Sequence, residues 1–152
     1  MDSTMVDRTV TGERTVRRRI NPWAVLVAAA VPLVTSAAYY IVFGGLWLSL
    51  RGLDPNTVSA APHPWEIGGQ FVRNVVVAFV LATLLARLRV TGWRGALRVG
   101  LLVWVGFQAM EVIGAVLHEN YPVGLYVLHV VDALMTTLVM AFVLGAWRRD
   151  RS

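Results

Sequence analysis

The chain has 152 residues, of which 57% are apolar and 15% charged, with a formal net charge of +5. That length suits one domain, and the apolar share is too high for an ordinary soluble one, which points to a membrane protein. The chain has no cysteine, which excludes disulfides, thiolate metal sites and cysteine nucleophiles.

In chain order, residues 1–20 are polar and lack hydrophobic periodicity, so they read as a disordered tail. Four segments then have the roughly 20 mainly apolar residues that a helix needs to cross a bilayer core. They are residues 22–48, 69–88, 93–117 and 122–147, within a domain of residues 21–148, followed by a short tail at 149–152. The expected architecture is all-α, an integral membrane four-helix bundle. Asn21 with Pro22, and Asn120 with Pro122, place a capping residue and an early proline at two helix starts. Pro32 lies inside the first span as a candidate kink, and Gly44 and Gly45 mark a candidate end or bend. Ser36-Ala37-Ala38 has the form of a signal-peptide cleavage site, but the apolar run continues to Leu50, which favours a retained helix.

All fourteen basic residues are arginine, and their positions set the threading. Arg8, Arg14, Arg17, Arg18 and Arg19 precede the first span, and Arg87, Arg89, Arg94 and Arg98 surround the second connection. Arg148, Arg149 and Arg151 follow the fourth span, whereas the other two connections carry almost none. The positive-inside rule therefore puts both termini and the middle connection in the cytoplasm. This placement reads the arginines as topology anchors at the lipid bilayer and argues against nucleic acid as a partner. Trp23, Trp93 and Trp147 fall at the inner interface, and Trp47, Trp65 and Tyr121 at the outer one, where aromatic rings concentrate. Three prolines and three glycines argue against a long helix in the outer connection of residues 51–69. The short turn near Asn120 makes spans three and four antiparallel neighbours.

The polar residues inside the spans are few. Counting from Asn120, Glu111 and His129 are each nine residues away, and Gln108 and Asp132 each twelve. Each pair is therefore expected at one depth on neighbouring helices. Gln108 and Glu111 share a helix face, as do His129 and Asp132. Arg73 lies a few residues below the outer end of span two. The expectation is an intramembrane polar network of Arg73, Gln108, Glu111, His129 and Asp132 in the outer half, since a charge in hydrocarbon calls for a partner.

Two uses of such a network compete. One fixes helix order and register without chemistry. The other is an outward-facing site for a proton, cation or small polar ligand, with Glu111 or Asp132 exchanging the proton and His129 relaying it. The apolar inner half counts against a transport path through one chain, and a homo-oligomer would be needed to supply a pore. His63, Glu66, His118 and Glu119 could approach a metal, but their spacing matches no strong signature. No phosphate-binding loop, dinucleotide fingerprint or HExxH is present. The reading is a structural or accessory membrane subunit without enzymatic activity, cofactor or metal. A proton- or small-molecule-coupled transporter subunit is the first alternative and an outer-face membrane enzyme the second.

Several stretches carry a family resemblance: "NPWAVLVAA", "YYIVFGGLW" with "GLDP" after it, "LLVWVGFQA", and "LHENYPVGLYVLHVVDALMTTLVMAFVLGAW". With them the chain resembles the DUF1761 proteins, small bacterial and archaeal membrane proteins of four predicted spans and unknown function. The resemblance runs from about Asn21 to Trp147 and implies the four-span fold. It departs from the family pattern in the compressed "FGGLWLSLRGLDP". It departs again in span four, where the family often has Asn and Tyr-His near His129, Asp132 and Ala133. The resemblance implies no activity. The arginine-only basic usage with abundant Ala, Val and Gly suggests a GC-rich bacterial source, and hence an inner membrane.

Overall fold

The computed structural model describes residues 20–54, 56, 63–118 and 120–147. The expected tails, most of the first connection, Glu119 and the last arginines lie outside the described residues.

Four helices, α1 (Pro22–Leu50), α2 (Pro64–Arg87), α3 (Gly92–His118) and α4 (Val123–Trp147), are each long and apolar enough to cross a membrane. The end where α1 begins and α4 finishes is called here the terminal end, and the opposite end the loop end. Local chemistry sets the boundaries. Asn21 caps α1 by accepting the Trp23 N–H at 3.0 Å, ahead of Pro22 in the first turn. α2 starts five residues earlier than the sequence suggests, at Pro64. The proline there fills the first helical position, and the Glu66 carboxylate accepts the His63 N–H at 3.0 Å. The expected end or bend at Gly44 and Gly45 does not stop α1, which continues to Leu50. After α2, Arg89 adopts a left-handed conformation (φ 53°), and the Val90 N–H reaches back to the Leu85 carbonyl at 3.0 Å. This closes the helix in the way a glycine usually does. Asn120 (φ 53°) makes the corresponding turn between α3 and α4.

α4 is the central helix, packed against α1 on one side and α3 on the other, while α1 also carries α2. Among the described residues, α2 meets α3 only through the part of α3 before Trp104, and from Trp104 onward α3 touches α4 alone. The main core accordingly lies toward the terminal end. Ala24, Val25, Ala28 and Ala29 of α1 meet Ala78, Leu81, Ala82 and Leu85 of α2, Ala96 of α3, and Met140, Ala141 and Leu144 of α4. Small residues permit the close approach. A Cβ added at Gly145 would stand 2.6 Å from Ala96 Cβ and 2.8 Å from Trp93 Cα, and one at Gly100 would stand 2.8 Å from Ala141 Cβ. Toward the loop end the buried apolar cluster is smaller, formed by Tyr39, Leu125 and Leu128 between α1 and α4.

One feature of α3 has no counterpart in the sequence reading. Trp104–Ala109 is a π-helical segment set between α-helical stretches. Such a segment inserts one extra residue into the helix and so turns the faces that follow it. It coincides with "WVGFQA", within the family-like stretch of the third span.

Candidate functional site

The polar side chains within the spans mostly act between helices. Asp132 of α4 accepts the Ser36 hydroxyl of α1 at 2.6 Å, a short bond as expected between hydroxyl and carboxylate. One turn away, the buried Tyr39 hydroxyl donates to the Leu128 carbonyl at 3.1 Å. Asn74, buried on α2, donates to the Ala29 carbonyl of α1 at 3.2 Å. On the other side of α4, Thr137 donates to Gln108 of α3 at 3.0 Å, and the Trp104 indole N–H donates to the Val130 carbonyl at 2.9 Å. Each of the three most extensive helix pairings, α1 with α2, α1 with α4 and α3 with α4, thus carries at least one side-chain bond. Among the described residues, no buried side-chain nitrogen or oxygen lacks a partner, as a low-dielectric interior requires.

His129 faces the α3–α4 turn. Its Nδ1 lies 2.8 Å from the Tyr121 hydroxyl and 2.9 Å from the Leu125 carbonyl. One ring nitrogen serves both contacts: carrying a proton it donates to the carbonyl, and bare it accepts the phenol. Tyr121 itself lies outside the spans. Burial pushes its hydroxyl pKa up from 10.0, and the positive charge of Arg51 pulls the other way.

The remaining charges are placed differently. Arg73 is exposed on α2 and donates to Gln70 of its own helix at 3.3 Å. Glu111 is exposed on α3, two residues past the π-helical segment.

The five residues expected to form one layer are therefore distributed. Among the described residues, Asp132 bonds to α1, Gln108 to Thr137, His129 toward the turn and Arg73 along α2, and none of the five is hydrogen-bonded to another. Equal residue counts from Asn120 do not bring Gln108 to Asp132, for two reasons. The π-helical segment rotates α3, and a helical side chain leans toward its own N-terminus. For α3 that lean is toward the terminal end, where Gln108 finds Thr137 rather than Asp132. Asp132 lies on the face of α4 that meets α1, and its partner Ser36 stands out in the sequence only within the cleavage-site-like Ser36-Ala37-Ala38, which says nothing of Asp132. Asn74 is visible among the span polar residues, but its acceptor is a backbone carbonyl, which residue types do not reveal.

The chemistry open to this arrangement is limited. Among the described residues, no three His, Asp or Glu side chains are grouped to hold a metal ion, and His63 and Glu66 are engaged in the cap of α2. A shallow apolar groove of about 860 Å³ runs between α1 and α4 toward the loop end, lined by Ala38, Val42, Leu46 and Val127 among others. Among the described residues, none that lines it is charged.

Four long apolar helices, tied to one another by isolated side-chain bonds, mark a multi-pass membrane protein. The chain belongs to the DUF1761 family, described as a protein of unknown function, whose match covers residues 23–145 and so all four helices. No match is found among curated proteins or among solved structures.

Proposed function

We propose that the protein is a non-enzymatic structural or accessory subunit of a bacterial inner membrane, with both termini in the cytoplasm. In this reading the intramembrane polar residues fasten helices rather than carry substrate. The observation that supports it most is the pair of bonds on opposite sides of α4, Ser36 to Asp132 and Thr137 to Gln108, which tie the central helix to α1 and to α3. Polar bonds of this kind fix helix order and register when every member is satisfied. The apolar core at the terminal end, formed by all four helices, also argues against a polar path through one chain. The distribution of arginines supports the orientation.

Reconstitution into vesicles tests the reading. With a pH gradient and an entrapped pH dye, the wild type should leak protons no faster than empty vesicles. A proton flux present in the wild type and abolished by Glu111→Gln would replace this reading with a transporter. The separation of α2 from the loop-end part of α3 is what favours that second reading.

A further inference from the structure

We propose that the protein assembles as a parallel two-fold homodimer in which Glu111 of each copy pairs with Arg73 of the other. This goes beyond the subunit reading by naming the partner, a second copy of this chain, and the residues that recognise it. Glu111 stands seven residues from His118, about 10 Å along the helix from the loop end of α3. It is exposed and makes no hydrogen bond or ion pair among the described residues. Its side chain leans toward the N-terminus of α3, which is the terminal end, so the carboxylate is directed deeper into the apolar layer and not out to the headgroups. A carboxylate so placed requires a partner.

Arg73 is the complementary group. It lies nine residues from Pro64, about 14 Å along α2 from the loop end, also exposed, with only the neutral Gln70 bonded to it among the described residues. Beyond the start of α3, α2 and α3 do not touch within one chain, so the fold does not bring the two charges together by itself. A two-fold axis along the membrane normal preserves depth, so a bond between copies needs charges at matched depth. The two Cα levels differ by about 3 Å counted from Pro64 and His118 at the loop end, and by about 7 Å counted from Arg87 and Gly92 at the terminal end, a gap that a long guanidinium side chain spans. The same axis makes the bond twice. The surface around Glu111 also admits another helix, since a Cβ at Gly106 or at Gly114 would meet nothing within 4 Å. Phe107 and Val72, 72% and 63% exposed, are apolar neighbours free to pack in such an interface.

Charge reversal tests the pairing between chains. Full-length copies labelled with donor or acceptor dyes at the N-terminus are mixed in phosphatidylethanolamine–phosphatidylglycerol vesicles, and association is read by energy transfer at increasing lipid dilution. The wild type should associate as two copies. Glu111→Gln and Arg73→Gln should each weaken association tenfold or more. Glu111→Arg alone and Arg73→Glu alone should not self-associate, yet a mixture of the two should recover wild-type transfer. In that mixed dimer both contacts become Arg opposite Glu, and recovery also shows that each variant is folded. A monomeric wild type, neutral variants that associate normally, or a mixture that stays dissociated would each overturn the proposal. The outcomes are separable from the subunit reading: a proton flux would end that reading and leave the dimer standing, whereas loss of pairing would end the dimer alone.

Discussion

The two ends of this bundle are built on different principles. At the terminal end all four helices share a core of alanines and leucines, with Gly100 and Gly145 letting α3 and α4 approach closely. At the loop end α1 and α4 stay paired through Tyr39, Leu125 and Leu128, while α2 and the far part of α3 stand apart. Lipid tails are as apolar as leucine, so close packing and polar bonds, not exclusion of water, decide which helices remain together in a membrane. Small residues provide the first of these at the terminal end. Ser36–Asp132 and Thr137–Gln108 provide the second further along.

This contrast can be broken or sharpened by substitution, with stability read as thermal or denaturant unfolding in mild detergent. Gly145→Leu should have the largest effect, about 3 kcal/mol of destabilisation. The added side chain meets backbone atoms of Trp93 and Gly92, which cannot rotate away. Ser36→Ala removes the donor to a part-buried carboxylate and should cost about 2 kcal/mol. Asp132→Asn, which keeps an acceptor, should cost less. Thr137→Val, which deletes one helix-to-helix bond, should cost about 1 kcal/mol. A smaller, pH-dependent change is expected from Tyr121. Its raised folded pKa means that the native state holds the phenol proton more tightly than the unfolded state. That stability is fully present below the ordinary value of 10.0 and is lost as pH rises through the raised one. Tyr121→Phe should therefore flatten the alkaline limb of the stability profile. Gly114→Ala should change stability by no more than about 0.5 kcal/mol, because its surroundings are open. A loss at Gly114 as large as that at Gly145 would contradict the contrast between the ends.

Much of this fold is legible in the residues. Four apolar runs give four helices, with ends within two residues of the expected ones at α1, α3 and α4. The short turn at Asn120 makes α3 and α4 neighbours, as its length requires. The start of α2 is less legible, because Pro64 reads as a loop residue until its place in the first turn and the Glu66 contact are known. Side-chain partnerships are the least legible. Counting residues from a turn assumes a uniform helix, and the π-helical segment at Trp104–Ala109 breaks that assumption just where Gln108 and Glu111 lie. Gly106 and a tryptophan in mid-span are the sequence signals that accompany the segment, and neither is specific to it. Ser36 and the backbone acceptors Ala29, Leu128 and Val130 become visible only when the helices are placed.

α2 and α3 are close at the terminal end and separate toward the loop end. The chain lacks cysteine, so spin labels can be placed at chosen pairs and their separation measured by pulsed electron resonance in lipid nanodiscs. Dilution with unlabelled chain keeps the signal within one copy. One pair, at Leu84 and Arg98, reports the terminal end, and a second, at Ile67 and Leu117, the loop end. The second pair should show a clearly longer distance. Equal distances at the two levels would mean that α2 and α3 run side by side along their length, which would contradict this separation.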